Sequence, residues 1–203
     1  MKLNLLTSEY CTALEVCGII SSVKQPALYP NERLVKMGYQ EHKHEAPKSV
    51  NCAVLIISNT RTEQNDESGR LVIKALEGNG HRVVSYCILK NDADSIQKKL
   101  GELLQEESLK VIITSGGTGI SHLDVTVETI SLALEKKLDG FGELFRFFTH
   151  QELGSGSIMS RAIGGVIKGK IILCLPGSVG AVNLAMEKII LPEIGHLVRE
   201  ASR

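Results

Sequence analysis

The segment Thr114-Ser115-Gly116-Gly117-Thr118-Gly119 gathers three glycines and three hydroxyls directly after the apolar run Leu109–Thr114. Glycines reach positive φ and turn backbone N–H groups toward an anion with no Cβ in the way, while Thr114, Ser115 and Thr118 add hydroxyl donors. The chemistry this spells is a phosphate cradle. A Walker loop would set Gly-Lys-Ser/Thr before the next helix, but no lysine stands between Lys110 and Lys136. Neutralising charge must therefore come from backbone dipoles, a metal or residues elsewhere. The competing reading is a tight glycine turn that binds nothing.

Other candidates fall at similar places. Asp124 begins or precedes a helix with Val125, Thr126 and Glu128 behind it; beside a phosphate cradle it can hold Mg2+, and otherwise it caps the helix by accepting from the N–H of Thr126 or Val127. Asp92 follows a different strand and poses the same pair of alternatives. Pro176-Gly177-Ser178 ends the apolar run Ile171–Leu175, and Ser178 opens a helix whose N-terminus either receives a phosphate or carbonyl oxygen or is merely capped. Asp66, Glu67 and Ser68 open another helix, as metal ligands or as caps. Ser160-Arg161 supplies a guanidinium suited to a bidentate phosphate contact, or a surface arginine. His42 and His44 alternate in the polar stretch Glu41–Lys48; with no third ligand nearby in sequence they read as part of a solvated linker.

The elements that must carry these residues follow from hydrophobic period. Cys52–Ser58 is a continuous apolar run of strand length, as expected of a strand covered on both faces. Leu71, Val72, Ala75 and Leu76 then mark a helix closed by Gly78 and Gly80, Arg82–Leu89 a second strand, and Ile96, Leu100, Leu103 and Leu104 a helix capped by Asn91 or Asp92. Leu109–Thr114 is a third strand and Val125–Leu138 a third helix. This rhythm predicts βα units with a largely parallel sheet, whose ligands gather beyond the carboxyl ends of the strands. Phe141–Glu152 reads as a short helix, Ile163–Leu175 as two strands around a Lys168-Gly169 turn giving one antiparallel edge, and the stretch after Ser178 as a helix that bends or restarts at Pro192. Residues 1–47 read as an N-terminal extension and 48–203 as the α/β domain, with a mildly apolar segment at Ala13–Val23 and a turn at Gln25–Pro30.

Composition narrows the class. Lys+Arg 23 against Asp+Glu 23 leaves no net charge, and aromatic residues are 4% with no tryptophan, which argues against nucleic acid as a partner. No stretch has the ~20 apolar residues of a membrane span. Five cysteines at scattered spacings (Cys11, Cys17, Cys52, Cys87, Cys174) indicate a reducing compartment and a cytoplasmic protein.

Taken in order, the runs TSGGTGISHLDVT, DGFGELFR, MSRAIGGV and CLPGS resemble the MoaB/MogA family of molybdenum cofactor biosynthesis, whose domain also forms the G domain of gephyrin and of plant molybdopterin adenylyltransferases. The resemblance spans about Lys48 to His196. It implies a three-layer αβα fold, assembly as homotrimers or hexamers, and Mg2+-dependent transfer of AMP from ATP to molybdopterin. It further implies that Gly116–Gly119 help bind nucleotide, that Asp124 is functionally required, and that Pro176–Ser178 lie at the pterin pocket. The family usually has Ser-Asp after the first strand and Pro-Asp-Asp after the second, where this chain has Ser58-Asn59 and Lys90-Asn91-Asp92. If Asn91 holds the aspartate's place, a metal site there loses negative charge.

The expectation is therefore an adenylyltransferase acting by positioning and electrostatics. Asp124, helped by Asp92 or Asp66, would carry Mg2+; Gly116–Gly119 would hold nucleotide phosphate; Ser178 and Arg161 would face the pterin phosphate, with Ser68 and Ser160 as further cofactor-binding candidates. The rival expectation is a protein that binds pterin or nucleotide without turnover.

Overall fold

Strand β1 (Asn51–Ile57) buries every residue after Asn51, and the reason lies in its two faces. Cys52, Val54 and Ile56 enter one core while Ala53, Leu55 and Ile57 enter a second on the opposite side of the sheet, so the run cannot alternate apolar with polar. The computed structural model describes residues 32–203; the expectations for Ala13–Val23, for Gln25–Pro30 and for Cys11 and Cys17 lie outside them. The described residues begin with helix α1 (Glu32–His44), and a compact unit runs from Glu41 to Arg203.

After β1, chain order gives α2 (Glu67–Gly78), β2 (Arg82–Leu89), α3 (Ala93–Gln105), β3 (Val111–Ser115), α4 (Thr126–Ala133), β4 (Lys136–Lys137) and α5 (Asp139–Leu153). A 3-10 segment (Gly154–Met159), β5 (Ile163–Ile167), β6 (Lys170–Leu175), α6 (Val179–Ala185) and α7 (Leu191–Ala201) complete it. The sheet order is β2-β1-β3-β6-β5-β4. The first four strands in that order are parallel, and β5 and β4 add an antiparallel edge. Helix α2 packs with α5, α6 and α7 on one face; α3 and α4 cover the other. This is the three-layer α/β architecture expected.

One departure from the sequence reading has a local cause. The helix expected over Val125–Leu138 stops at Ala133, because Glu135 and Leu138 donate their N–H groups to Val166 and Gly164 and turn Lys136–Lys137 into the edge strand. As expected, the last helical region restarts at Pro192: it passes through a π-helical turn (Met186–Ile190) and resumes as α7 with Pro192 in its first turn. Between β5 and β6, Lys168 (φ 48°) and Gly169 (φ 71°) form the two-residue turn with positive φ at both positions that suits a tight hairpin.

Topology then fixes where a ligand can sit. From β1 the chain moves to β2 on one side and returns through α3 to β3 on the other, so the winding reverses between β1 and β3. At such a switch point the loops diverge and leave a crevice beyond the carboxyl ends of the strands. The loops after β1, β2, β3 and β6 all emerge at that edge.

Candidate functional site

The loop after β3 carries the conformations its glycines permit. Gly116 has φ 104° and Gly117 φ 63°. A Cβ on Gly116 would stand 2.3 Å from the carbonyl oxygen of Ile57, and one on Gly117 would stand 2.3 Å from Thr126 Oγ1 and 2.5 Å from Asn91 Oδ1. Both glycines are therefore required by close approach as well as by φ. Thr126 holds the loop from below: its hydroxyl donates to the Gly116 carbonyl at 2.9 Å and its N–H to the Gly117 carbonyl at 2.9 Å. Gly116 N–H donates to Leu175 O at 3.0 Å. Among the described residues the N–H groups of Gly117, Thr118 and Gly119 meet no protein acceptor, which is the arrangement an anion cradle needs.

Asp124 is not the cap of α4. The residue at that position is Val125, which makes no side-chain cap bond. The carboxylate instead bends back over the loop, with Oδ2 accepting from Ser121 N–H at 3.3 Å and Oδ1 receiving Asn91 Nδ2 at a long 3.5 Å. A Cβ on Gly119 would lie 2.6 Å from Asp124 Oδ2, so the carboxylate rests against the cradle. The capping alternative is thereby corrected: the Asp124 carboxylate does not serve the end of α4.

Register gives the neighbouring place to Asn91. Asp92 spends both oxygens on Ser95, accepting from its N–H at 2.8 Å and its hydroxyl at 2.9 Å, and so caps α3. Those bonds hold the Asp92 carboxyl below the usual carboxylate range, the Ser95 N–H contributing most. Asn91 donates its N–H to Asn59 Oδ1 at 3.0 Å. Its own Oδ1 is buried and accepts no hydrogen bond among the described residues, a costly condition unless a ligand supplies the partner.

Asp66 also serves the wall of the site. It is fully buried, caps α2 by accepting from Gly69 N–H at 2.9 Å, and accepts from the Tyr86 hydroxyl at 2.7 Å. Burial and the facing carboxylate push the Tyr86 hydroxyl well above its ordinary value, so it stays protonated as the donor. Ser68 donates to Gly177 O at 2.9 Å and Ser115 to Pro176 O at 3.2 Å. These bonds stitch the turn after β6 to α2 and to the cradle. Gly177 approaches Gly116 so closely that a Cβ on it would lie 3.2 Å from the Gly116 Cα. Ser178 caps α6 by accepting from Ala181 N–H at 3.3 Å.

Arg161 donates to Gly119 O at 3.2 Å and forks onto Glu128. It thus braces the far end of the cradle, and its hydrogen bond lowers the Glu128 carboxyl. Ser160 has a buried hydroxyl with no hydrogen-bond partner among the described residues. Thr114 and Thr118 are buried within the strand end and the loop. The structure thus brings Thr114–Gly119, Asp124, Arg161, Pro176–Ser178 and Ser68 to one edge, and turns Asp92 and Asp66 to Ser95 and Tyr86.

Sequence reasoning missed the lock by Thr126, the role of Tyr86 and a cleft of about 640 Å3 beside Asn59, lined by Ser58, Arg61, Thr62 and Lys90. Arg61 and Lys90 are cations and Glu63 an anion in its lining, and only proximity across strands brings them together.

A metal suits this donor set in one place. Mg2+ takes hard oxygens, commonly one or two carboxylates together with substrate phosphates. Asp124 with the orphaned Asn91 Oδ1 offers one carboxylate and one amide oxygen.

Comparison with known proteins identifies the family. Residues 53–196 match the family model described as a probable molybdopterin binding domain. The chain is 48% identical over 168 residues to molybdenum cofactor biosynthesis protein B of Bacillus cereus, covering 82% of this chain and 99% of that one. It is 46% identical over 165 residues to the Bacillus subtilis protein of the same name, covering 81% and 97%. Among solved structures, one of a molybdenum cofactor biosynthesis protein B superposes with TM-score 0.75 at 49% identity, over 77% of this chain and 98% of that one. The tungsten cofactor synthesizing protein MoaB from Pyrococcus furiosus gives TM-score 0.71 at 34% identity, over 78% and 100%.

Proposed function

Because the chain belongs to the MoaB/MogA family of molybdenum cofactor biosynthesis, we propose that it transfers the adenylyl group of ATP to molybdopterin. The observation that carries this reading is the cradle with unspent amides, flanked at one sheet edge by the Asp124 carboxylate and the Pro176–Ser178 turn. The amides of Gly117, Thr118 and Gly119 bind nucleotide phosphate, and in the adjoining cleft Arg61 and Lys90 outnumber the one carboxylate, Glu63. Ser178, Ser160 and Arg161 face the pterin's phosphate.

No side-chain nucleophile is needed. A phosphate oxygen of the pterin forms a bond to the α-phosphorus while the bond from that phosphorus to the β-phosphate bridging oxygen breaks, and pyrophosphate leaves with the electron pair. The chain's contribution is to hold the two phosphates in line and to meet developing charge with fixed dipoles. Mg2+, when bound, neutralises phosphate charge, and Asp124 with Asn91 Oδ1 would hold it.

Exposed apolar residues support assembly as a homotrimer or hexamer. Leu144, Phe147, Leu153, Ile158 and Met159 on α5 and the 3-10 segment are exposed in the single chain, and surfaces of this kind mark protein contacts. Among the described residues no helix is long and apolar enough to cross a membrane.

The test is AMP transfer to molybdopterin by wild type and Asp124→Ala, at saturating ATP and Mg2+. Loss of transfer by at least a hundredfold, with the variant still folded, is expected; equal rates remove Asp124 from the mechanism. One observation favours the rival, a binding protein without turnover: two neutral amides, Asn59 and Asn91, stand beside a single carboxylate. Calorimetry separates the two, since pterin binding with no Mg2+-dependent ATP consumption would establish the rival.

A further inference from the structure

At the opposite edge of the sheet, where β1 begins, a cluster forms that the cradle does not use. His42 lies in the last turn of α1, its Nδ1 3.6 Å from Glu200 Oε1. Its ring centroid is 6.1 Å from that of His196, with the planes tilted by 55°. His196 and Glu200 are four residues apart on α7 and so share one helix face. One ligand atom from each of the three residues lies within 4.8 Å of the others. The third ligand that His42 lacks in sequence is supplied by the fold.

We propose that His42, His196 and Glu200 bind one divalent transition-metal ion. Two imidazole nitrogens and one carboxylate oxygen suit Zn2+, with water completing a tetrahedron. Bonds near 2.1 Å place tetrahedral donors about 3.4 Å apart, so side-chain rotation of roughly 1 Å closes the set. His196 Nδ1 stands 3.1 Å from Glu193 Oε2, and Lys43 Nζ holds Glu193 at 2.9 Å. A carboxylate on Nδ1 keeps that nitrogen protonated and assigns the lone pair to Nε2, as around histidines that ligate metals.

The surrounding charges permit the ion. Arg199 and Arg203 both pair with Glu200, but Arg199 also pairs with Glu45 and keeps that partner when Glu200 turns to a metal. Among the described residues that pair around the cluster, Lys43, Arg199 and Arg203 are matched by Glu45, Glu193 and Glu200. Bound there, it ties the end of α1 to α7 and stabilises the fold by mass action.

The test uses the full chain after stripping with chelator and dialysis, titrated with Zn2+ by calorimetry and with Co2+ by visible absorption. One ion per chain and the intense visible bands of four-coordinate Co2+ are expected. His42→Ala, His196→Ala and Glu200→Gln should each weaken binding more than tenfold, and Glu193→Gln by about 10–100-fold. His44→Ala, at an exposed position outside the cluster, should leave it unchanged. Melting curves in chelator check that every variant folds alike, so a lost site is distinguishable from a lost fold. Zn2+ affinity unchanged in the His42→Ala/His196→Ala double variant, a thiolate charge-transfer band with Co2+, or no stoichiometric binding by the wild type would each overturn the proposal.

Discussion

Gly117→Ala isolates what the cradle contributes. At φ 63° an alanine costs about 1–2 kcal/mol relative to glycine. Its Cβ would sit 2.3 Å from Thr126 Oγ1 and 2.5 Å from Asn91 Oδ1, so both side chains must swing away. Thr126 then loses its 2.9 Å bond to Gly116 O, a further 0.5–1.5 kcal/mol or so. The total of about 1.5–3.5 kcal/mol is smaller than the roughly 5–15 kcal/mol stability of a typical domain, so the variant folds. The loop it leaves no longer aims its amides together. ATP affinity, measured by calorimetry in Mg2+, should fall at least tenfold, about 1.4 kcal/mol. Gly140→Ala is the control: a Cβ there meets nothing within 4 Å, and it should bind ATP normally while changing stability by less than about 1 kcal/mol. A Gly117→Ala protein that loses the stated stability yet binds ATP like the wild type would refute the argument that these amides hold phosphate.

Two further perturbations read the framework around the site. Tyr86→Phe removes the 2.7 Å donor to a fully buried Asp66 carboxylate, and should cost about 1–3 kcal/mol in urea unfolding; a loss below about 0.5 kcal/mol would show that Asp66 finds another donor. His81 is buried, its Nδ1 has no hydrogen-bond partner among the described residues, and burial lowers its pKa below the ordinary 6.5. The folded state therefore holds it neutral, while the unfolded chain takes up the proton as pH falls through 6.5. Stability should decline from that pH downward until the folded-state pKa is passed, and His81→Gln should flatten this limb. Parallel declines in wild type and variant would assign the slope to other groups.

Much of the fold is legible because its strands are buried on both faces. A seven-residue run such as Asn51–Ile57 has few other uses, and Arg82–Leu89 is bounded by polar residues that fix its ends. The glycine cradle is legible for a similar reason, since no other residue type tolerates the backbone at Gly116. The end of α4 is not, because Lys136 and Lys137 become strand only when β5 offers its edge. Short-range pattern carries no information about a partner almost thirty residues away.

For the carboxylates, type and spacing establish that Asp66, Asp92 and Asp124 follow strands at one sheet edge, and no more. Which of them points to the crevice is decided by one-residue differences in register. Asp92 turns to Ser95 and Asn91 to Asp124, because consecutive side chains at the end of a strand leave in different directions. Likewise His42 and His196, 154 residues apart, share a site only once α7 is laid beside the end of α1. The amino-acid sequence by itself determined the layers, the cradle and the family; the meeting of groups remote along the chain was decided by packing, since hydrogen bonds and charge pairs act over ångströms in space and are indifferent to separation in sequence.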